Sequence, residues 1–238
     1  MTPELLESAA LVLLLVLAIS VHEWAHAAMT TYLGDSTAKD LGRLTLNPVS
    51  HTDPVWTLAI PLLGLHLGGF FVAAGRPVPY NPSRWQPMLW GRRLVRRWGE
   101  FLVAIAGPGS NLVQALVAAL ALGGVMASQT MDVSEVLSSM RQLNPDQPMA
   151  VVVWSLDRFI FINCLLTVFN LMPIAPLDGA KVLAPFLPRS LADRLEHMGM
   201  WGFLLLLLIV FRLPEVINTP IDLLRSTCLQ IAIALGSS

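Results

Sequence analysis

Long apolar runs constrain this chain more than any other feature. They cover residues 11–21, 101–127, 149–172 and 201–211. A segment that crosses a bilayer needs about 20 mostly apolar residues. Only structures that satisfy their own backbone polar groups survive in hydrocarbon, so such runs are expected to be helices. Composition agrees: 55% of the 238 residues are hydrophobic and 13% are charged, against about a quarter charged in soluble domains. The expectation is an all-α polytopic membrane protein forming a single domain over residues 1–238. A core of three transmembrane helices would carry a re-entrant or extended segment and additional C-terminal helices. The net charge of −1 gives no reason to expect nucleic-acid binding. Two cysteines, Cys164 and Cys228, in apolar surroundings read as small buried hydrophobes rather than a disulfide framework. Glu4 and Glu7 stand where a signal peptide would be cationic, so a retained first helix is expected.

The first run leads directly into VHEWAH, residues 21–26. His22 and His26 are spaced i and i+4 and so share a helix face. Glu23 lies at the edge of that face. Two imidazoles at this spacing suit zinc, with the carboxylate placed to take a proton from water. Ionisable groups are expensive inside an apolar helix and mark function there.

Two histidines leave a catalytic zinc site one protein ligand short. Candidates for the third are His51, His66, His197 and the few acids near apolar segments. Asp178 is the best placed. It follows FNLMPIAP, where Pro173 and Pro176 break a hydrophobic helix. Irregular backbone at membrane depth is tolerated around a polar cavity. Gly179 permits close backbone approach. Taken alone, Asp178 would read as the N-cap of a helix over residues 180–186.

Four stretches together resemble the site-two protease family of intramembrane zinc metalloproteases, in a compact bacterial form with no PDZ or CBS domain visible. They are VHEWAHAAMTTYLGDSTAKDLGRLTLNPVSHTDP at 21–54, GRPVPYNP at 75–82, AIAGPGSNL at 104–112 and FNLMPIAPLDGAKVL at 169–183. The resemblance implies one zinc ion per chain, held by His22, His26 and Asp178, with Glu23 as catalytic base. It also implies that Asn170 lies in the site region. His51 matches a family segment, although Trp56 stands where glycine is usual. Asn111 reads first as an interhelical hydrogen bond, with Gly107 and Gly109 allowing close packing. Asn111, His51, Pro173 and Gly179 complete the residues expected to bind substrate or support the site. The implied activity is zinc-dependent hydrolysis of peptide bonds in or near transmembrane segments, in regulated proteolysis or in clearance of membrane peptides.

The two metal-binding elements must meet at one depth, so their helices should run in the same direction. One span near residues 98–127 reverses the chain between them. Residues 55–72 hold Pro61, Gly64, Gly68 and Gly69 and suit a segment that dips in and returns. Residues 68–80 are a candidate edge for an unwound substrate strand. A small amphipathic helix is expected near 132–143, a span near 198–213 and an apolar segment at 217–235 interrupted by Pro220. Lys39, Arg43, Arg76, Arg84, Arg92, Arg93, Arg96, Arg97, Lys181, Arg189 and Arg194 all fall toward one side. The positive-inside rule makes that side cytoplasmic. The expectation is a multi-pass protein of the cell membrane with its active site toward the cytoplasm. The expected partners are the lipid bilayer and a membrane-spanning protein substrate, and the sequence is compatible with a homo-oligomer. A metal-dependent scaffold would not need Glu23, and a metal transporter would need more acids along its spans.

Overall fold

The computed structural model describes residues 3–53, 57, 75–86, 88, 89 and 91–236. Among them the chain is helical apart from loops and one two-residue hairpin. The helices are α1 (Pro3–Tyr32), α2 (Thr37–Asp40), α3 (Arg96–Gln129), α4 (Val133–Arg141), α5 (Pro148–Asn170), α6 (Asp178–Leu183), α7 (Arg189–Glu196), α8 (Met200–Arg212) and α9 (Glu215–Gly236). The hairpin pairs β1 (Met88–Leu89) with β2 (Arg92–Arg93). Gly91 turns it with φ 75°, a conformation that glycine adopts without steric cost.

Among the described residues, α1, α3 and α5 are long and apolar enough to cross a membrane. At 1.5 Å per residue even the 23-residue α5 is about 34 Å long, enough for the hydrocarbon core. Contacts fix their directions. Ala18, His22 and His26 of α1 meet Gln114, Asn111 and Val103 of α3 in reverse order. Asn111 and Pro108 of α3 meet Asn163 and Thr167 of α5, again in reverse order. So α3 is antiparallel to both neighbours, and α1 and α5 run the same way, as the depth argument requires. His22 does not lie at its helix end, however. The helix continues ten residues beyond it to Tyr32.

The remaining elements complete the frame. The amphipathic α4 starts at a capping box in which Asp132 accepts from the Glu135 N–H and the Glu135 carboxylate accepts from the Asp132 N–H. Helices α7 and α8 bend by 78° across residues 197–199, where Gly199 has φ 50°. At 13 residues, α8 is too short to cross alone. Helix α9 is continuous through Pro220 and packs along α3 and α5. The expected re-entrant segment at 55–72 lies outside the described residues apart from Thr57. Of the candidate edge at 68–80, only residues 75–80 are described. They are loop without strand pairing, fixed by a hydrogen bond from the Arg76 N–H to the His51 carbonyl (2.8 Å).

Beyond the end of α1, Asp35 organises the juxtamembrane loops. Its fully buried carboxylate accepts from the Thr37 N–H and hydroxyl and from the Asn81 N–H. Burial raises its pKa, but these donors and the nearby Arg84 outweigh it and hold the carboxyl below its usual range.

Candidate metal centre

Three helices bring the site together. Helix α1 presents His22, Glu23 and His26, all less than a tenth exposed. The break after α5 carries the chain through Pro173 and Pro176 and delivers Asp178 as the first residue of α6. Leu177, not Asp178, occupies the N-cap position. The Asp178 carboxylate is therefore not spent on capping. Its Oδ2 lies 3.3 Å from His22 Nε2 and 3.3 Å from His26 Nε2. The two Nε2 atoms are 3.0 Å apart.

Hydrogen bonding at the far side of each ring shows what these atoms are prepared for. His26 Nδ1 is 2.7 Å from the Val103 carbonyl. A carbonyl only accepts, so Nδ1 carries a proton, and a neutral ring then turns a lone pair inward at Nε2. His22 Nδ1 is 2.6 Å from Asn111 Oδ1, which sets the same tautomer. Asn111 in turn donates to Asn163 Oδ1 (2.9 Å), and Asn163 donates to the Phe159 carbonyl (2.9 Å). With both rings neutral, two imidazole lone pairs and a carboxylate oxygen converge. Such a set repels itself unless a cation sits among it. Its spacing fits: ligands about 2.0–2.1 Å from a tetrahedral zinc lie about 3.3–3.4 Å apart. The surroundings fit as well. A Cβ on Gly107 would lie 2.4 Å from His26 Nε2 and 2.6 Å from His22 Nε2. Only glycine at that point of α3 leaves the space open.

The centre opens into a cleft of about 480 Å³. Ile19, Leu166, Phe169, Leu177, Phe203 and Leu206 give it apolar walls, and Glu23, Asn170 and Lys181 are among its polar groups. Gly75 presses against Glu23: a Cβ there would lie 2.5 Å from Glu23 Oε1. Lys181, one turn after Asp178, donates to the Tyr80 hydroxyl (3.0 Å). Burial works against its charge, but Tyr80, Asp178 and Glu100 together raise its pKa above the usual lysine value.

The expected supporting residues separate into several roles. Asn170 lines the cleft and donates to the Leu166 carbonyl. Asn111 makes the interhelical bond read for it, and its partner is the candidate ligand His22. Gly179 packs on the break itself: a Cβ would lie 2.2 Å from the Met172 carbonyl oxygen. His51 is buried behind the cleft, bonded to the Thr45 carbonyl (2.7 Å). Pro173 is exposed away from the cleft, and it is Pro176 that lines it. Asn163, Gly75 and the Val103 carbonyl were not singled out from sequence. Of these, only Gly75, at the head of GRPVPYNP, carries a sequence signal.

Comparison with known proteins follows this geometry. The profile described as Peptidase family M50 matches residues 10–210. The chain belongs to peptidase family M50. That agrees with the site-two protease resemblance and makes this a metalloprotease with a multi-pass membrane architecture. The Bacillus subtilis protein named "Putative zinc metalloprotease YwhC" is 32% identical over 84% of this chain and 78% of its own length. Two mycobacterial proteins named "Putative zinc metalloprotease Rip2" are also similar. The one from Mycolicibacterium smegmatis is 30% identical over 82% of this chain, and the one from Mycobacterium tuberculosis H37Rv is 27% identical over 83%. The chain spans 63% and 64% of those two relatives' lengths. No solved structure gives a significant match.

Proposed function

We propose that this M50 peptidase is a zinc-dependent endopeptidase that cuts peptide bonds in or near the transmembrane segments of other membrane proteins. The observation that carries the reading is the meeting of the buried His22 and His26 with the partly buried Asp178, beside Glu23 and inside a bundle of apolar helices. Zinc held by these residues would supply a Lewis acid to polarise a carbonyl and to lower the pKa of a bound water to about 7.

The chain's own groups supply the rest. Glu23 takes a proton from the attacking water and returns it to the leaving amine. Gly75 keeps the loop beside Glu23 free of side-chain bulk, so a peptide can approach the base. A helical substrate hides its amides in i→i−4 bonds and must be opened before attack. The loop 75–80 beside the cleft can pair main chain to main chain with an opened segment. Anti-sigma factors, membrane-bound transcription factors and remnant signal peptides are candidate substrate types, in regulated proteolysis or in clearance. The cations gathered at the metal end of the bundle support an active site toward the cytoplasm. The whole chain would act as one catalytic domain.

Glu23→Gln is the decisive variant. It preserves shape and leaves the three ligands in place. Hydrolysis of a transmembrane test substrate should fall at least about a hundredfold, the lower end of general-base contributions. Zinc content, determined on the same samples, should stay at wild-type level. Unchanged cleavage by this variant would remove Glu23 as the base. A zinc-loaded wild type that cuts nothing in a broad panel of membrane substrates would favour a metal-dependent scaffold.

A further inference from the structure

Lys181 is a cation built into the wall of the cleft, and Asp178 and Glu100 act on it through space rather than by contact. It is partly buried and lines the same cavity as Glu23 and Asp178. It makes no ion pair among the described residues. Its ammonium rests 3.0 Å from the Tyr80 hydroxyl and 5.2 Å from the centre of the Tyr80 ring. Tyr80 is itself fixed. It stacks on Trp85 at 5.7 Å with the planes 12° apart. Trp85 is buried, donates to Thr30 (3.2 Å) and fits against α3 only because residue 99 is glycine, where a Cβ would lie 2.4 Å from the indole. A lysine normally swings freely in water. This one is braced by an aromatic stack reaching back to α1 and α3.

An ammonium has three donors, and one is used. Partial burial makes the charge costly, Asp178 and Glu100 offset this only from a distance, and a carboxylate in contact would add a charge-assisted hydrogen bond. Position limits where that carboxylate can be. Lys181 follows Asp178 by three residues on α6, so the two side chains leave the helix about 5–6 Å apart on one face. An extended peptide advances about 3.3 Å per residue. A group touching Lys181 therefore belongs to a residue about one to three positions from the bond at the metal centre.

We propose that Lys181 is a specificity-determining residue that selects peptides bearing a carboxylate within a few residues of the scissile bond. The carboxylate is either an acidic side chain or the free C-terminus of a short membrane peptide. This rests on the peptidase reading of the site and names the substrate class for it.

The test measures binding as well as cleavage. Purified Glu23→Gln protein is titrated in detergent with labelled apolar peptides carrying Asp at each of three positions on either side of the central bond. Isosteric Asn peptides serve as controls, and each peptide is made with a free and an amidated C-terminus. At one position the Asp peptide should bind about tenfold tighter than the Asn peptide, the size of one charge-assisted hydrogen bond. Adding Lys181→Met should bring the ratio to about one, Lys181→Arg should retain it, and Lys181→Glu should invert it. If the free C-terminus is the source, amidation alone should abolish the preference. Tyr80→Phe removes the brace and keeps the charge, so the preference should survive there if the charge decides it. A ratio of one in the starting protein overturns the proposal, as does an undiminished preference with Lys181→Met. If that variant does not fold, loss of preference with the charge-retaining Lys181→Arg counts against it. The cleavage arm runs the same peptides with Glu23 intact. Absence of all cleavage would sink the peptidase reading while the binding ratios still judge Lys181.

Discussion

A histidine ring binds metal through one nitrogen and is aimed by the other. In this chain the two aiming partners differ in kind. His26 is held by a backbone carbonyl that no side-chain substitution removes. His22 is held by Asn111, one link in a chain through Asn163 to the Phe159 carbonyl. Asn111→Ala should therefore lower zinc affinity about 10–100-fold, the usual effect of removing such a partner. Competition with a chelator would measure it. Gly107→Ala is the harsher change, because its methyl would occupy the point where both Nε2 atoms converge. That variant should purify without stoichiometric zinc, and full zinc content in it would show that α3 can yield at this point. HExxH and the LDG acid were legible in sequence because their chemistry is local or strongly motif-bound. The relay was not. Asn111 and Asn163 lie 52 residues apart and meet only once α3 and α5 pack. Nothing in the spacing of either marks the other as its partner.

At the scale of elements, the least legible feature is how α9 is fastened. Asp157 is fully buried in the tenth position of α5, and Arg225 of α9 reaches it at 2.7 Å. Arg158 approaches the other oxygen at 3.5 Å and also donates to the Met140 carbonyl of α4. One buried carboxylate thus ties together three helices. Small residues allow the remaining approach. A Cβ on Gly123 would lie 2.7 Å from the Ala232 carbonyl oxygen, and one on Gly236 would lie 2.6 Å from the Met126 Cβ. Removing one partner of a buried pair costs about 3–5 kcal/mol, because the other charge stays buried alone. Arg225→Leu should destabilise the protein in detergent unfolding, by less than that because Arg158 still faces the Asp157 carboxylate at 3.5 Å. The double variant Asp157→Leu with Arg225→Leu should recover most of the loss. A double variant as unstable as the single would mean that packing, not charge, holds α9. Sequence reading treated Pro220 as an interruption of this segment. The helix continues through it because a proline near the start forfeits a single i→i−4 bond. Cys164 and Cys228 are buried, as composition suggested. Their sulfurs meet across α5 and α9, a neighbourhood that a separation of 64 residues does not reveal.

The whole molecule follows from alternation. Helices α1 and α5 run one way and α3 runs the other, so the ends of α1 and α5 and the start of α3 share one side. That side also receives Lys39, Arg43, Arg76, Arg84, Arg96, Arg97, Lys181, Arg189 and Arg194. The opposite side carries α4 with its acidic cap, Asp132 and Glu135. The alternation was legible in advance, because hydropathy sets the spans, and the clustered charge gives the expectation for their sense. The path of residues 55–72 was a weaker inference, since glycine and proline in an apolar run permit several routes. A labelling experiment tests the arrangement. Lys39 and the helix-borne Ser138 are both exposed, and both native cysteines are buried, so single cysteines at 39 and 138 report against a low background. In intact cells an impermeant thiol reagent should modify Ser138→Cys at once and Lys39→Cys only after permeabilisation. The inverse pattern would turn the bundle over and put the metal centre toward the outside. Equal labelling of both from outside would be harder to accommodate. Residues 39 and 138 are separated by α3 alone among the three spans, so equal access would mean that α3 does not cross, and the antiparallel packing that brings His22 to Asn111 would have to form in another setting.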